Sequence, residues 1–179
     1  MPMKLVILDR DGVINFDSPQ FIKSPDEWKP IPGSLAAIAR LNQADYRVVV
    51  ATNQSGIGRG LFDMDTLNAI HEKMLKALAE VGGHIDAIFF CPHTVADDCA
   101  CRKPKTGMLE EIATRLNTDL QGVPAIGDAL RDIQSAAAVG ARPILVRTGK
   151  GRKTADDPEL PPQTPIYADL ATAVAHLLT

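Results

Sequence analysis

Five short runs of branched apolar residues, spaced by helix-length stretches, constrain this chain more than any other feature. They are Lys4–Leu8 (KLVIL), Arg47–Ala51 (RVVVA), Asp86–Phe90 (DAIFF), Val123–Ile126 (VPAI) and Pro143–Val146 (PILV). A strand with one face in water alternates apolar and polar residues. A strand that is apolar throughout is buried on both faces, as in a parallel sheet covered by helices. The intervening stretches supply those helices. Gly33–Asn42 places Leu35, Ile38 and Leu41 on one side, and Leu67, Ile70, Met74, Leu78 and Val81 recur at helical spacing. Asp63 or Asp65 can cap that second helix and Gly82-Gly83 can end it. Met108–Leu116 and Leu130–Val139, closed by Gly140, continue the alternation, and a short strand at Ile166–Tyr167 with a helix over Leu170–Leu178 ends it. Alternating strands and helices imply right-handed crossovers. The expected fold is three-layer, Rossmann-like α/β: a mostly parallel sheet with helices on both faces.

At 179 residues the chain has the length of one domain, and 1–179 is read as one. Between Thr52 and Cys91 there is room for a helix and a strand but not for a cap domain. The hydrophobic fraction of 45% supports a real core, built mostly from Ala, Val, Ile and Leu because aromatics are only 4%. Lys+Arg number 19 and Asp+Glu 22, a net charge of −3, which with so few aromatics argues against a nucleic-acid partner. No apolar run approaches the ~20 residues that span a bilayer, so no membrane partner is expected. The N-terminus MPMKLVILDRDG lacks a small-residue cleavage site, which points to a cytoplasmic protein. No apolar seam stands out, and a monomer is the default. Two stretches, Asn15–Pro32 and Cys91–Thr106, read as long loops, which in a compact domain are usually functional. The Pro- and charge-rich tail Gly149–Pro165 reads as a solvated loop, the alternative being a phosphate contact from Lys150, Arg152 or Lys153.

Ligands of such sheets bind beyond the carboxyl ends of the strands, and polar clusters lie at those ends. They are Asp9-Arg10-Asp11-Gly12, Thr52-Asn53-Gln54-Ser55-Gly56, Cys91-Pro92-His93, and Gly127-Asp128 with Asp132 one turn further. At an extended strand end, residues i and i+2 point the same way. Asp9 and Asp11 would therefore repel unless a cation or proton lay between them. Mg²⁺ suits carboxylate oxygens and keeps positions for phosphate, and Asp128 can add a third carboxylate. Such a pocket suits phosphoryl transfer. One Asp could attack phosphorus to form an aspartyl-phosphate, while the other protonates the leaving oxygen and then activates water.

The cysteines form one cluster, Cys91-x-His93-x5-Cys99-x-Cys101. Three thiolates and an imidazole complete a tetrahedral Zn²⁺ set with no open position, so the site reads as structural. Closing the costly loop 91–106 would hold Arg102 and Lys103 over the pocket. His71, His84 and His176 read as surface or helix residues.

LVILDRDGVIN resembles the first motif of the haloacid dehalogenase (HAD) superfamily of phosphatases, VVVATNQSG its second and AIGDALRD its fourth, and Lys103 is placed like its third-motif lysine. The resemblance implies Asp9 as nucleophile and Asp11 as general acid/base, with the Asp11 backbone carbonyl also touching Mg²⁺. It implies Thr52 and Lys103 at the phosphoryl group and Asp128 at the metal, with Asp132 in support. Asp-Arg-Asp-Gly, Thr-Asn-Gln-Ser-Gly-Ile-Gly-Arg-Gly, Cys-Pro-His and Cys-x-Cys-Arg-Lys-Pro together resemble a narrower family, the heptose bisphosphate phosphatases. These remove the 7-phosphate of D-glycero-D-manno-heptose 1,7-bisphosphate, a small phosphorylated sugar, in making activated heptose for lipopolysaccharide or surface glycans. By this resemblance Asp17, Ser18, Pro19, Gln20, Thr52, Asn53, Gln54, Ser55, Arg102 and Lys103 would bind substrate. The chain departs from the family pattern at Val13, at Pro19–Ile22 and at Ala129. The related histidinol-phosphate phosphatases share the zinc loop and are the alternative, with Asp17 available for the substrate amine. A phosphosugar-binding module without catalysis would need no paired nucleophile and acid.

Overall fold

The computed structural model describes residues 3–179. Met1 and Pro2, where the reading of a leaderless N-terminus begins, lie outside the described residues. Six strands form one parallel sheet: β1 (Leu5–Leu8), β2 (Arg47–Asn53), β3 (Ala87–Cys91), β4 (Pro124–Gly127), β5 (Arg142–Val146) and β6 (Ile166–Tyr167). Their order is β3-β2-β1-β4-β5-β6. The chain steps outward from β1 through β2 to β3, then crosses to β4 on the other side of β1. That reversal opens a crevice at the carboxyl ends of β1, β2 and β4, where a doubly wound sheet binds its ligand.

β1, β4 and most of β2 behave as expected of residues buried on both faces, whereas β3, at the edge of the sheet, is only half-buried from Ala87 to Phe90. Val6, Leu8, Val48 and Val50 enter one core with Trp28, Ile38, Leu41, Met74, Leu78 and Val174. Leu5, Ile7, Val49 and Ala51 enter the opposite core with Met108, Ile112 and Ala136. Each fully buried aliphatic side chain contributes about 1.5–3 kcal/mol. The first core lies under α1 (Ser34–Gln43), α3 (Met64–Glu80) and α7 (Leu170–Leu177), the second under α4 (Gly107–Leu116) and α5 (Leu130–Ala138). Between β2 and α3 the chain makes one turn of helix, α2 (Ser55–Gly58).

Asp63 is the cap of α3, accepting the Thr66 N–H at 2.9 Å, and Gly82 leaves the helix at φ +80°. His71 is a helix residue, as the reading allowed, but not a surface one: it shares the buried stripe of α3 with Leu67, Ile70, Met74 and Leu78 and is only 7% exposed. The loop after β1 is ordered by Ile22, Trp28 and Ile31, all buried, and by a single helical turn at Pro25–Glu27. A second such turn, Val95–Asp97, lies in the cysteine loop.

Only the second part of the segment after β5, residues 156–165, is the largely exposed loop expected; the first part is not. It folds into α6 (Gly151–Ala155), with Gly151 and Thr154 buried, and returns to the strand ends. Thr154 Oγ1 donates to the Asp128 carbonyl at 2.8 Å, and Thr148 Oγ1 donates to the Gly12 carbonyl at 2.6 Å. Among the described residues no helix is long and apolar enough to cross a membrane.

Candidate active site

The crevice is a cleft of about 260 Å³ whose floor is charged. Asp9 continues β1 and donates its N–H to the Ile126 carbonyl at 3.0 Å, so the nucleophile candidate is fixed by the sheet. Oxygens of Asp9, Asp128 and Asp132 lie within 4.8 Å of one another. Lys103 is buried among them, with Nζ 3.3 Å from Asp9 Oδ1, 2.7 Å from Asp132 Oδ1, and donating to the Ala51 carbonyl at 2.7 Å. The lysine backbone is clamped to β2. Its N–H donates to Asn53 Oδ1 at 3.0 Å, and Asn53 Nδ2 donates to its carbonyl at 3.2 Å. Asp132, at the start of α5, accepts the Ala129 N–H at 3.0 Å and the Asp128 N–H at 3.2 Å, which locks the turn after β4.

Three carboxylates outnumber the one ammonium buried among them, and their pKa values are displaced accordingly. Burial, reinforced by Asp132, pushes Asp9 up to about 7. Burial, then Asp9 and Asp132, pushes Asp128 up to about 9. Asp132 goes the other way: despite its burial, the Lys103 ammonium holds its carboxyl below the usual range. Lys103 is raised by Asp132 and Asp9 in spite of burial. A divalent cation would supply the missing charge, and an all-oxygen donor set fits a hard ion such as Mg²⁺. The backbone leaves Asp128 little freedom. Gly12 has φ +86°, and a Cβ there would lie 2.0 Å from Asp128 Oδ2; a Cβ on Gly149, at φ +57°, would lie 2.2 Å from the same oxygen. The Lys150 N–H donates to that oxygen at 2.8 Å.

Asp11 does not join this cluster through its side chain. Its Oδ1 receives Arg10 Nε at 2.9 Å and Asn15 Nδ2 at 2.9 Å, with Arg10 Nη2 at 2.8 Å. Its Oδ2 receives Gln54 Nε2 at 3.1 Å. Burial raises its pKa, but Arg10 and the hydrogen bonds from Asn15 and Gln54 outweigh it and hold the carboxyl below the usual range. Thr52 is buried beside it and accepts from Gln54 Nε2 at 3.0 Å.

Of the expected substrate residues, Asp17, Ser18, Pro19, Thr52, Asn53, Gln54, Ser55, Arg102 and Lys103 line the cleft. Gln20 does not; it is exposed, and its N–H donates to Ser18 Oγ at 3.1 Å. Four lining residues escaped the sequence reading: Phe21, Arg59, Arg131 and Lys150, the last mentioned only as an alternative. Arg59 stacks on Phe21 with its guanidinium 5.5 Å from the ring centroid. Lys150 forms an ion pair with Asp17.

Cys91, His93, Cys99 and Cys101 converge at the end of β3. Cys91 Sγ lies 3.5 Å from Cys99 Sγ and 3.7 Å from His93 Nδ1, and Cys101 Sγ lies 3.7 Å from Cys99 Sγ and 3.6 Å from His93 Nδ1. These are four of the six edges of a tetrahedron, and a regular one of that size has its centre about 2.2 Å from each corner, close to the Zn–S distance of about 2.3 Å. Arg102 Nη1 donates to the His93 carbonyl at 3.3 Å, so the cluster's loop also aims Arg102.

Comparison with known proteins agrees with this geometry. A family model described as HAD-hydrolase-like matches residues 100–173. A D-glycero-beta-D-manno-heptose-1,7-bisphosphate 7-phosphatase of Bordetella bronchiseptica is 62% identical over 176 residues, 98% of each chain. The protein of the same name from Pseudomonas aeruginosa is 51% identical over 178 residues, 99% of each. A crystal structure of D,D-heptose 1,7-bisphosphate phosphatase from B. bronchiseptica, complexed with magnesium and phosphate, superposes with a TM-score of 0.96 at 62% identity, covering 98% of both chains. The corresponding Burkholderia thailandensis structure gives 0.79 at 54% identity, covering 98% of this chain and 99% of that one. This chain therefore belongs to the D-glycero-beta-D-manno-heptose-1,7-bisphosphate 7-phosphatase family of HAD-like hydrolases.

Proposed function

We propose that the protein hydrolyses the 7-phosphate of D-glycero-β-D-manno-heptose 1,7-bisphosphate, releasing heptose 1-phosphate and inorganic phosphate. The observation that carries this reading is the division of charge in the cleft. Asp9, Asp128, Asp132 and Lys103 make one reacting centre at the floor, while Arg59, Arg102, Arg131 and Lys150 line the rest. A substrate with two phosphates matches that division, because guanidinium forks suit the phosphate that does not react. Histidinol phosphate carries an ammonium instead, and Asp17, the carboxylate that could receive it, is already paired with Lys150.

In this reading Asp9 attacks the 7-phosphorus and becomes an aspartyl-phosphate. Asp11 protonates the departing C7 oxygen, and its proton is carried on Oδ2, since Oδ1 is taken by Arg10 and Asn15. The phosphate dianion, a like charge, lifts the low pKa of Asp11 into working range. Asp11 then takes a proton from water, which attacks the phosphorus and frees Asp9. Lys103 holds Asp9 in place and offsets charge on the phosphoryl group. Thr52 Oγ1 donates to a phosphoryl oxygen. Asp9, the Asp11 carbonyl and Asp128 would hold Mg²⁺, which when bound neutralises and orients the phosphoryl oxygens. Cys91, His93, Cys99 and Cys101 would hold Zn²⁺, which fixes the loop carrying Arg102 and Lys103. Three unbridged thiols this close together are in keeping with a reducing cytoplasm. Residues 1–179 would act as one domain, as a monomer.

The test is kcat/KM with Mg²⁺ on both anomers of heptose 1,7-bisphosphate beside histidinol phosphate. We expect a preference of at least about 100-fold for the β-anomer over histidinol phosphate, about 2.7 kcal/mol in the transition state. Asp9→Asn should release no phosphate. Preference for histidinol phosphate, or turnover in Asp9→Asn, would overturn the reading.

A further inference from the structure

Arg10 lies between the two aspartates of the first loop, is wholly buried, and points away from the cleft. A guanidinium has five N–H donors and no neutral form to retreat to, so each buried edge needs an acceptor. Nε donates to Asp11 Oδ1 at 2.9 Å, and Nη2 lies 2.8 Å from the same oxygen as an ion pair without a hydrogen bond of its own. Nη1 meets His71 Nε2 on α3 at 3.1 Å. His71 is the polar member of a stripe that is otherwise Leu67, Ile70, Met74 and Leu78, where packing alone would favour another aliphatic residue. To accept from Arg10 the imidazole must be neutral with its proton on Nδ1. Burial, together with the neighbouring guanidinium, keeps it so, pulling its pKa down to about 4.

We propose that His71 is a positioning residue for the general acid: by accepting from Arg10 Nη1 it sets the plane of the guanidinium, which loads Asp11 Oδ1 with donors and leaves Oδ2 to carry the transferred proton. Asp11 is otherwise held by Asn15 and Gln54, each through one hydrogen bond. Without an acceptor at position 71 the guanidinium turns to find one, and the carboxyl turns with it. His71 never touches substrate; it acts through Arg10. The inference rests on the reading of Asp11 as the acid that protonates the leaving oxygen.

That dependence supplies the test. A sugar alkoxide needs a proton to leave, whereas p-nitrophenolate leaves as a stable anion. kcat/KM covers the steps up to alcohol release, so it reports the acid for one substrate and not for the other. His71→Met and His71→Ala remove the acceptor, and both are made so that one folded variant suffices; His71→Gln restores an amide oxygen near the Nε2 position. Folding is checked by circular dichroism. We expect the Met or Ala variant to lose about ten- to hundredfold in kcat/KM on heptose 1,7-bisphosphate, the scale of an approximately 1 Å misplacement. The same variant should stay within about threefold of wild type on p-nitrophenyl phosphate, and the Gln variant within about threefold on both. Equal losses on the two substrates, or no loss, would overturn the proposal while leaving the phosphatase reading intact. A wild-type protein without Mg²⁺-dependent activity on the bisphosphate would overturn both.

Discussion

Acid should unfold this protein partly through His71, by an amount that the burial of its ring fixes. The imidazole titrates near 6.5 in the unfolded chain and near 4 in the folded one, because burial and Arg10 disfavour its charged form. Between those values the unfolded chain binds the proton and the folded chain does not. Stability from this group is therefore intact above about pH 6.5 and is lost as pH falls toward 4. At 1.36 kcal/mol per pH unit of separation the full loss is about 3 kcal/mol, and a drop from pH 7 to pH 5 realises about 2 kcal/mol of it. Trp28, the sole tryptophan of the sequence and 1% exposed, gives a fluorescence probe for urea unfolding at the two pH values. Carboxylates and thiols that titrate in the same range are common to wild type and His71→Gln, so they cancel in the difference. Wild type should lose about 2 kcal/mol more than His71→Gln, or about 4–8 °C in Tm for a chain of this size. Parallel losses, within the extrapolation error of about 0.5 kcal/mol, would mean that the ring is hydrated or already charged in the folded state.

Three further perturbations follow from the cleft. Gly12→Ala forces a side chain into positive φ and onto Asp128, so it should cost about 1–2 kcal/mol in backbone strain and weaken Mg²⁺ activation about 10- to 100-fold; calorimetry and a Mg²⁺ titration of activity read the two effects. Asp132→Asn keeps an acceptor for the Ala129 N–H but leaves Lys103 with Asp9 as its sole ion-pair partner in the cluster. Urea unfolding should show a loss smaller than the about 3–5 kcal/mol of a buried pair broken outright, because Lys103 keeps Asp9 and the repulsion of Asp132 on Asp9 and Asp128 is relieved. Cys99→Ser, or a strong chelator, should release one Zn²⁺ per chain by elemental analysis and open residues 91–106 to protease, and activity should fall as Arg102 and Lys103 lose their anchor.

Much of this is readable from the residues because the central strands β1, β2 and β4 are buried on both faces and the edge strand β3 is apolar as well. All six expected strands form, and β6 has the expected bounds, Ile166–Tyr167. The five longer helices also form, within three residues of their expected ends, because each carries an apolar stripe long enough to show its period. What escaped is short. Four residues of α2 and five of α6 are too few for a period to register, and so the sequence pattern does not distinguish Lys150, at the start of α6, from solvated chain. Arg59 and Arg131 escaped for another reason: nothing local distinguishes an arginine facing a cleft from one facing water. Gln20 erred the opposite way, since a motif that spans a loop does not say which of its side chains turns inward. His71 was legible and overlooked. It lies four residues after Leu67 and seven before Leu78, on the buried face, where a polar residue calls for a buried partner.

The mouth of the cleft is bridged by Asp17 and Lys150, two side chains on facing loops that remain partly in water. Rotamers of such exposed groups exchange in picoseconds to nanoseconds, whereas hinged domains swing in microseconds to milliseconds. Opening this mouth therefore needs only the parting of two side chains, a motion on the faster of those scales. The same openness has a chemical side: an aspartyl-phosphate formed at Asp9, at the floor of an open cleft, would be within reach of any small alcohol at high concentration. Glycerol or a free sugar would then compete with water for the phosphoryl group, and the ratio of alcohol released to phosphate released would rise with its concentration.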